Sequence, residues 1–328
     1  MDGIADGEGA GGDLDPQIRA FVRRMGEAFA AHPSLSDASP EEARRIAERA
    51  RGPFTHGGPE MAAVRELMIP AGGRDVRVRL YDPGGPGPKP ALVYLHGGGW
   101  TMFSLETHDR LMREYAGRAG VVVAGVDYAL SPEARFPQAL EEVVDVVRWL
   151  QRDGAGAGVA PDRLALGGDS AGANLAISAA GVLKAAGEAA ALNGLVLNYG
   201  VYGTDFDTSS HRRYRGPEYM LTSNEMEGFW TRYIRSQADL SDPRAVPLKA
   251  DLSGLPAVFM AIAECDVLFD ENQAMAAALR AARVPVEARI YKGATHSFLE
   301  AVSMADVADR ALGEASAWLA GRLAPGVA

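Results

Sequence analysis

Apolar and polar positions along this chain follow two rhythms. Near the N-terminus, Ile18, Phe21, Val22, Met25 and Phe29 recur at the spacing of one helical face, after an Asp15-Pro16 pair suited to a helix start. Ser39-Pro40-Glu41-Glu42 is a capping-box pattern that opens a second helix, running to about Ala50. The rhythm then changes to strict alternation. Val76, Val78 and Leu80 alternate with Arg77, Arg79 and Tyr81, and with residues 64–69 and the AGGR turn at 71–74 they predict a β-hairpin. Beyond a Pro/Gly loop at 82–90, short apolar runs predict strands at 91–95, 121–126, 163–167, 194–198, 257–262 and 286–291. Amphipathic stretches predict helices at about 107–119, 137–151, 171–186, 270–283 and 304–322. Short apolar strands between amphipathic helices imply an α/β fold with a mostly parallel central sheet covered on both faces.

One interval breaks this alternation. About 60 residues separate the strands near 196 and 258, rich in aromatics and with a helical pattern at 223–236. A long insertion at the carboxyl end of a strand suits a lid. The division this predicts is a disordered tail at 1–14, N-terminal helices at 15–58 that look like an appendage, a core at 59–202 and 241–328, and a lid segment at 203–240.

Composition narrows the function. Among 328 residues, 33 basic and 43 acidic side chains give a net charge of −10, which argues against nucleic acid or an anionic membrane as the partner. One cysteine, Cys265, excludes an intrachain disulfide and fits a reducing compartment. The first residues lack the basic and apolar regions of a signal peptide, and no apolar run approaches membrane-spanning length, so a cytoplasmic protein is expected. The six histidines, at 32, 56, 96, 108, 211 and 296, form no metal-binding cluster; neither a metal nor a cofactor is expected.

The chemistry gathers at strand ends, where such sheets bind ligands. Residues 164–176 read LALGGDSAGANLA, a strand running into Gly168-Asp169-Ser170-Ala171-Gly172 and then a helix. That is the G-x-S-x-G pattern of a nucleophile on a sharp strand-to-helix turn, where small flanking residues are a steric requirement. LHGGGW at 95–100 follows the strand ALVYL; its glycines can aim backbone N–H groups at one point, which suits an oxyanion. His96 before them reads as a structural hydrogen-bonding residue. AECDVLFDE at 263–271 offers four carboxylates, of which Asp266 is preferred: Glu264 lies within the strand, and Asp270 and Glu271 suit the first turn of the next helix. GATHSF at 293–298 presents His296. The order Ser170, Asp266, His296 is that of a hydrolase triad: nucleophile, orienting carboxylate and general base. Cys265, among acidic neighbours, reads as a core residue and not as a nucleophile.

HGGGW at 96–100, DYALSPE at 127–133 with FPQAL at 136–140, GDSAGAN at 168–174, Asp266-Val267-Leu268 and HSF at 296–298 together resemble the hormone-sensitive-lipase-like bacterial esterases of the α/β-hydrolase superfamily, over about residues 60–322. The acetyl-esterase subgroup is nearest in look. The resemblance implies an α/β-hydrolase fold with a helical cap, to which the N-terminal helices at 15–58 and a second cap segment at 203–240 contribute, a Ser170–His296–Asp266 triad and oxyanion donors at the backbone N–H groups of Gly98, Gly99 and Ala171. It also implies pocket walls at Trp100, Tyr202 and Phe298, and a DYALSPE segment that buttresses the glycine loop. Cys265, where many relatives carry an aromatic, and Ala129, where arginine is common, are departures that bear on pocket shape and ion pairing. The expected activity is hydrolysis of small short-acyl esters through an acyl-enzyme, with a small-molecule ester as the partner. Amide, N-acetyl or lactone hydrolysis would use the same triad. A catalytically silent ligand-binding homologue, as in the plant gibberellin receptors, is disfavoured by the presence of His296. By analogy with relatives, a homodimer through the last strand and helix is an expectation.

Overall fold

The computed structural model describes residues 11–35 and 38–325. The elements run α1 (Pro16–Ala30), α2 (Pro40–Thr55), β1 (Ala63–Ala71), β2 (Arg74–Asp82), β3 (Lys89–Leu95), α3 (Asp109–Ala119), β4 (Val122–Val126) and α4 (Gln138–Asp153). They continue with β5 (Val159–Asp169), α5 (Ala171–Ala185), β6 (Leu192–Asn198), α6 (Ser209–Arg213), α7 (Ser223–Tyr233), β7 (Val258–Cys265), α8 (Phe269–Ala281), β8 (Val286–Thr295) and α9 (Asp306–Arg322). The eight strands form one sheet in the order β1-β2-β4-β3-β5-β6-β7-β8. The first hairpin and the β2/β4 pair are antiparallel, and every later pair is parallel.

Alternation within the strands builds two cores, one on each face. In β3, Ala91, Val93 and Leu95 join the cluster that includes α4, α5 and α8 residues, while Leu92 and Tyr94 join the one beneath α1, α3 and α9. In β7, Val258, Met260 and Ile262 face the first cluster and Phe259, Ala261 and Ala263 the second. The predicted strands and helices are all present. β5 and β8 run longer than their apolar stretches, and the short α6 had no periodic signal.

The N-terminal helices are bound into this body. Asp15 caps α1 by accepting from Gln17 N–H (2.8 Å) and Ile18 N–H (3.3 Å), and Ser39 caps α2 through Glu42 N–H (3.2 Å). Ile18, Phe21 and Met25 are buried in the second core, with Phe21 edge-on to Phe54 of α2 at 5.1 Å. The tail expected at 1–14 is corrected at its inner end. Residues 1–10 lie outside the described residues, but Leu14 is buried, Asp15 N–H donates to the Gly293 carbonyl (3.1 Å) and Arg19 donates to the Gly11 carbonyl (2.8 Å).

Candidate active site

The turn from β5 to α5 holds Ser170 at φ 54° and ψ −120°, a conformation that costs an L-residue strain and persists only where surroundings enforce it. The enforcement is close packing. A Cβ at Gly172 would collide with the carbonyl oxygens of Leu95 and His96, and one at Gly168 with the Leu95 carbonyl oxygen. The elbow therefore lies directly against the end of β3, which brings the serine beside the glycine loop.

Ser170, His296 and Asp266 meet. His296 Nε2 lies 2.9 Å from Ser170 Oγ across 126 positions of sequence, and His296 Nδ1 lies 2.7 Å from Asp266 Oδ2. The second Asp266 oxygen accepts from Leu268 N–H (3.0 Å), and the carboxylate is 1% exposed. The neighbouring acids have other partners. Glu264 accepts from Gly293 N–H (2.9 Å), Asp270 from Ser210 N–H (2.9 Å) and Glu271 from Tyr202 N–H (2.8 Å). Of these four carboxylates, Asp266 alone is bonded to the imidazole.

The backbone N–H groups of Gly98, Gly99 and Ala171 are oriented by the carbonyls that precede them. In a trans peptide the C=O and N–H point in opposite directions. The Gly97 carbonyl accepts from His96 Nδ1 (2.7 Å), the Gly98 carbonyl from Thr101 N–H (3.0 Å) and Met102 N–H (2.9 Å), and the Ser170 carbonyl from Ala173, Asn174 and Val201 N–H groups (3.1, 3.3 and 3.3 Å). Each carbonyl is thus bound on the protein side, and its peptide partner N–H faces the other way. Gly98 and Gly99 border the same cavity as Ser170 and His296. This arrangement can move a proton from a hydroxyl to an imidazole and donate hydrogen bonds to a negative oxygen beside it.

Behind the loop lies a buried polar cluster. Asp169 accepts from Tyr94 OH (2.8 Å) and Gly97 N–H (3.1 Å), with His108 Nε2 at 3.3 Å. Burial opposes its charge, but His108 and the Tyr94 hydroxyl hold the carboxyl below its ordinary value. His96 is buried, stacks on Tyr128 at 4.4 Å and is pushed down to about 3 by burial and by His108, so it stays neutral. Tyr128 of the DYALSPE segment donates to the His96 carbonyl (2.7 Å), and Ser131 N–H donates to the Trp100 carbonyl (2.8 Å).

The cavity above Ser170 has a volume of about 590 Å³. Its walls come from α1 (Met25 and Phe29), from the 217–229 stretch (Met220 and Phe229), and from Met102 and Phe103 after the glycines. The three expected wall residues are elsewhere. Trp100 is fully buried and stacks on Tyr233 at 4.1 Å and 6°. Tyr202 is fully buried in the first core, and Phe298 packs on Tyr199 and Tyr291 in the second. Trp100 takes φ 58° just after the glycine turn and its ring lies in the first core. The residues that do line the cavity stand on separate elements, announced in sequence by the helical stripe of α1 and by the aromatic-rich lid interval, which supplies Met220 and Phe229. Cys265 is buried, and burial pushes its thiol up to about 12. Among the described residues, no group of three or more histidine, cysteine or acidic side chains could hold a metal ion, and no helix is long and apolar enough to cross a membrane.

A family model described as the alpha/beta hydrolase fold matches residues 92–300, which spans the glycine loop, the serine elbow, the acid loop and the histidine. The chain belongs to the α/β-hydrolase family. Its resemblance to the hormone-sensitive-lipase-like esterases holds over nearly its whole length. It is 35% identical to an ethyl acetate hydrolase of Pseudomonas putida, covering 91% of this chain and 96% of that protein. It is 32% identical to an acetyl esterase of Salmonella choleraesuis, covering 94% and 95%. A crystal structure of a thermostable esterase from Pseudomonas putida superposes with a TM-score of 0.89 at 30% identity, covering 97% of this chain and 99% of that one.

Proposed function

We propose that this α/β-hydrolase is a serine carboxylesterase acting on small short-acyl esters through an acyl-enzyme. The observation that carries the reading is the unbroken hydrogen-bond chain Ser170–His296–Asp266, open to a cavity beside the glycine loop. The names of the relatives, acetyl esterase and ethyl acetate hydrolase, favour esters with a short acyl group.

In this mechanism Ser170 Oγ attacks the ester carbonyl carbon while its proton passes to His296 Nε2. Asp266 holds the Nδ1–H tautomer and stabilises the imidazolium. The carbonyl oxygen becomes an oxyanion, received by the N–H groups of Gly98, Gly99 and Ala171. As the C–O bond to the alcohol breaks, His296 returns the proton to the leaving oxygen. Water then repeats the sequence: His296 takes its proton, hydroxide character attacks the acyl carbon, and Ser170 Oγ leaves reprotonated with the carboxylic acid as product. A cap made of α1, α2 and residues 203–240 would exclude bulk water.

The test is cleavage of p-nitrophenyl acetate and butyrate without added metal or cofactor, with Ser170→Ala lowering kcat at least about a thousandfold. Substantial turnover by the alanine variant would contradict the reading. A C2 to C12 acyl series beside a matched anilide and a lactone separates ester from amide and lactone preference. Two further expectations remain part of this proposal. The cytoplasmic location is supported by the single cysteine. A homodimer is supported by β8, the last strand of the sheet, which presents Ile290 exposed; sedimentation of the purified chain tests it.

A further inference from the structure

α2 carries Arg44, Glu48 and Arg51 at the i, i+4, i+7 spacing that places them on one face. All three reach into the loops that bear the site. Arg44 Nε donates to the Thr101 carbonyl (2.9 Å) and its Nη2 to the Ser131 carbonyl (2.9 Å), while Glu133 takes the outer edge of the guanidinium (2.6 Å). Glu48 accepts from Ser104 Oγ (2.7 Å). Arg51 pairs with Glu300, both buried, and lies 3.8 Å over the Phe103 ring. One helix therefore grips the loop after the glycines and the turn that follows His296.

The Thr101 contact bears on the chemistry. Thr101 N–H donates to the Gly98 carbonyl (3.0 Å), the bond that turns the Gly99 N–H away from the protein side, and Ser131 N–H donates to the Trp100 carbonyl (2.8 Å). Arg44 holds the opposite, carbonyl side of both Thr101 and Ser131 with a single rigid plane of donors. A lysine point charge cannot reproduce two such bonds in fixed directions. We propose that Arg44 is a positioning residue for ester hydrolysis: through it, docked α2 fixes the glycine turn so that the Gly98 and Gly99 N–H groups meet the oxyanion. This rests on the esterase reading above. α2 is then part of the catalytic framework as well as a cover over the cavity.

The Arg44 side chain is 22% exposed, so water can reach the groups it leaves behind, and Arg44→Met is expected to keep the fold. The experiment compares wild type, Arg44→Met, Arg44→Lys and Ser170→Ala at 25 °C with p-nitrophenyl butyrate. Inhibition by a trifluoromethyl ketone, whose serine adduct carries an oxyanion, is measured alongside. Losing one oxyanion donor costs about 10²–10³ in kcat, so misplacing the loop in Arg44→Met is expected to cost about 10–100-fold in kcat. KM should stay within about threefold, the ketone should weaken in parallel with kcat/KM, and Arg44→Lys should fall between. A purely structural strut would lower the melting temperature and leave kcat and ketone affinity alone. That result, or a loss carried by KM alone, overturns the proposal. Should Arg44→Met not fold, Arg44→Gln, which keeps one amide donor, decides by the same criteria. An inactive wild type or an active Ser170→Ala overturns the esterase reading and this proposal with it. A normal wild type beside an unimpaired Arg44→Met overturns this proposal alone.

Discussion

Ser170 sits at a positive φ because the atoms around it leave no alternative, and the same contacts make its glycine neighbours irreplaceable. Gly172→Ala would drive a methyl group into the Leu95 and His96 carbonyl oxygens. The expected cost is about 3 kcal/mol or more, read from urea denaturation, together with loss of hydrolysis because β3 and α5 must separate. A variant as stable and active as wild type would show that the elbow is not packed in this way. Glu271 makes a second prediction at this scale. Burial pushes its carboxyl up to about 8, against an ordinary value of 4.5. Between those values the folded chain keeps a proton that the unfolded chain releases, so stability attributable to this group falls as pH rises from about 4.5 to 8. Glu271→Gln keeps an acceptor for Tyr202 N–H and removes the titration. The melting temperature of the variant should therefore gain on wild type as pH rises through that window; curves that stay parallel from pH 5 to 8 would contradict the assignment.

Elements decide what the cavity is made of. α1 buries Ile18, Phe21 and Met25 in the core beneath the sheet and presents Val22, Met25 and Phe29 to the cavity, so one helix serves both. Phe21→Ala should cost about 3–5 kcal/mol in denaturant unfolding, the range for a buried aromatic; a change below 1 kcal/mol would mean that α1 is only loosely attached. The helical stripe of α1 was legible in the sequence, but a stripe states that a face is buried without saying what covers it. The two helices therefore read as an appendage, and residues 11–14 as tail, although they pack. The strands were legible wherever short apolar runs mark a doubly covered sheet. The extension of β8 to Thr295 was not, because Lys292-Gly293-Ala294-Thr295 has no apolar run and joins the sheet through a register shift at Ala263/Cys265. Ser170, Asp266 and His296 could be read because each follows a strand end whose direction the topology fixes. Trp100, Tyr202 and Phe298 could not, because the side on which a loop aromatic falls depends on local φ and on partners such as Tyr233 and Tyr291.

For the whole molecule, the parallel sheet delivers its strand ends to one rim, where side chains 126 positions apart in sequence come within 2.9 Å. The same closure shields Cys265: buried and with its thiol pushed up to about 12, it should resist iodoacetamide in the native protein and react only on unfolding, with activity unaffected in the meantime. Rapid alkylation of the native chain with loss of turnover would contradict the packing around it. Ser170 is the proposed nucleophile, activated by His296. The most direct test of this is to titrate the enzyme with diethyl p-nitrophenyl phosphate and locate the adduct by peptide mass spectrometry. Modification is expected at Ser170 alone, with hydrolytic activity lost in proportion to the modified fraction. Full activity in chains modified at Ser170, or complete inactivation with Ser170 unmodified, would contradict it.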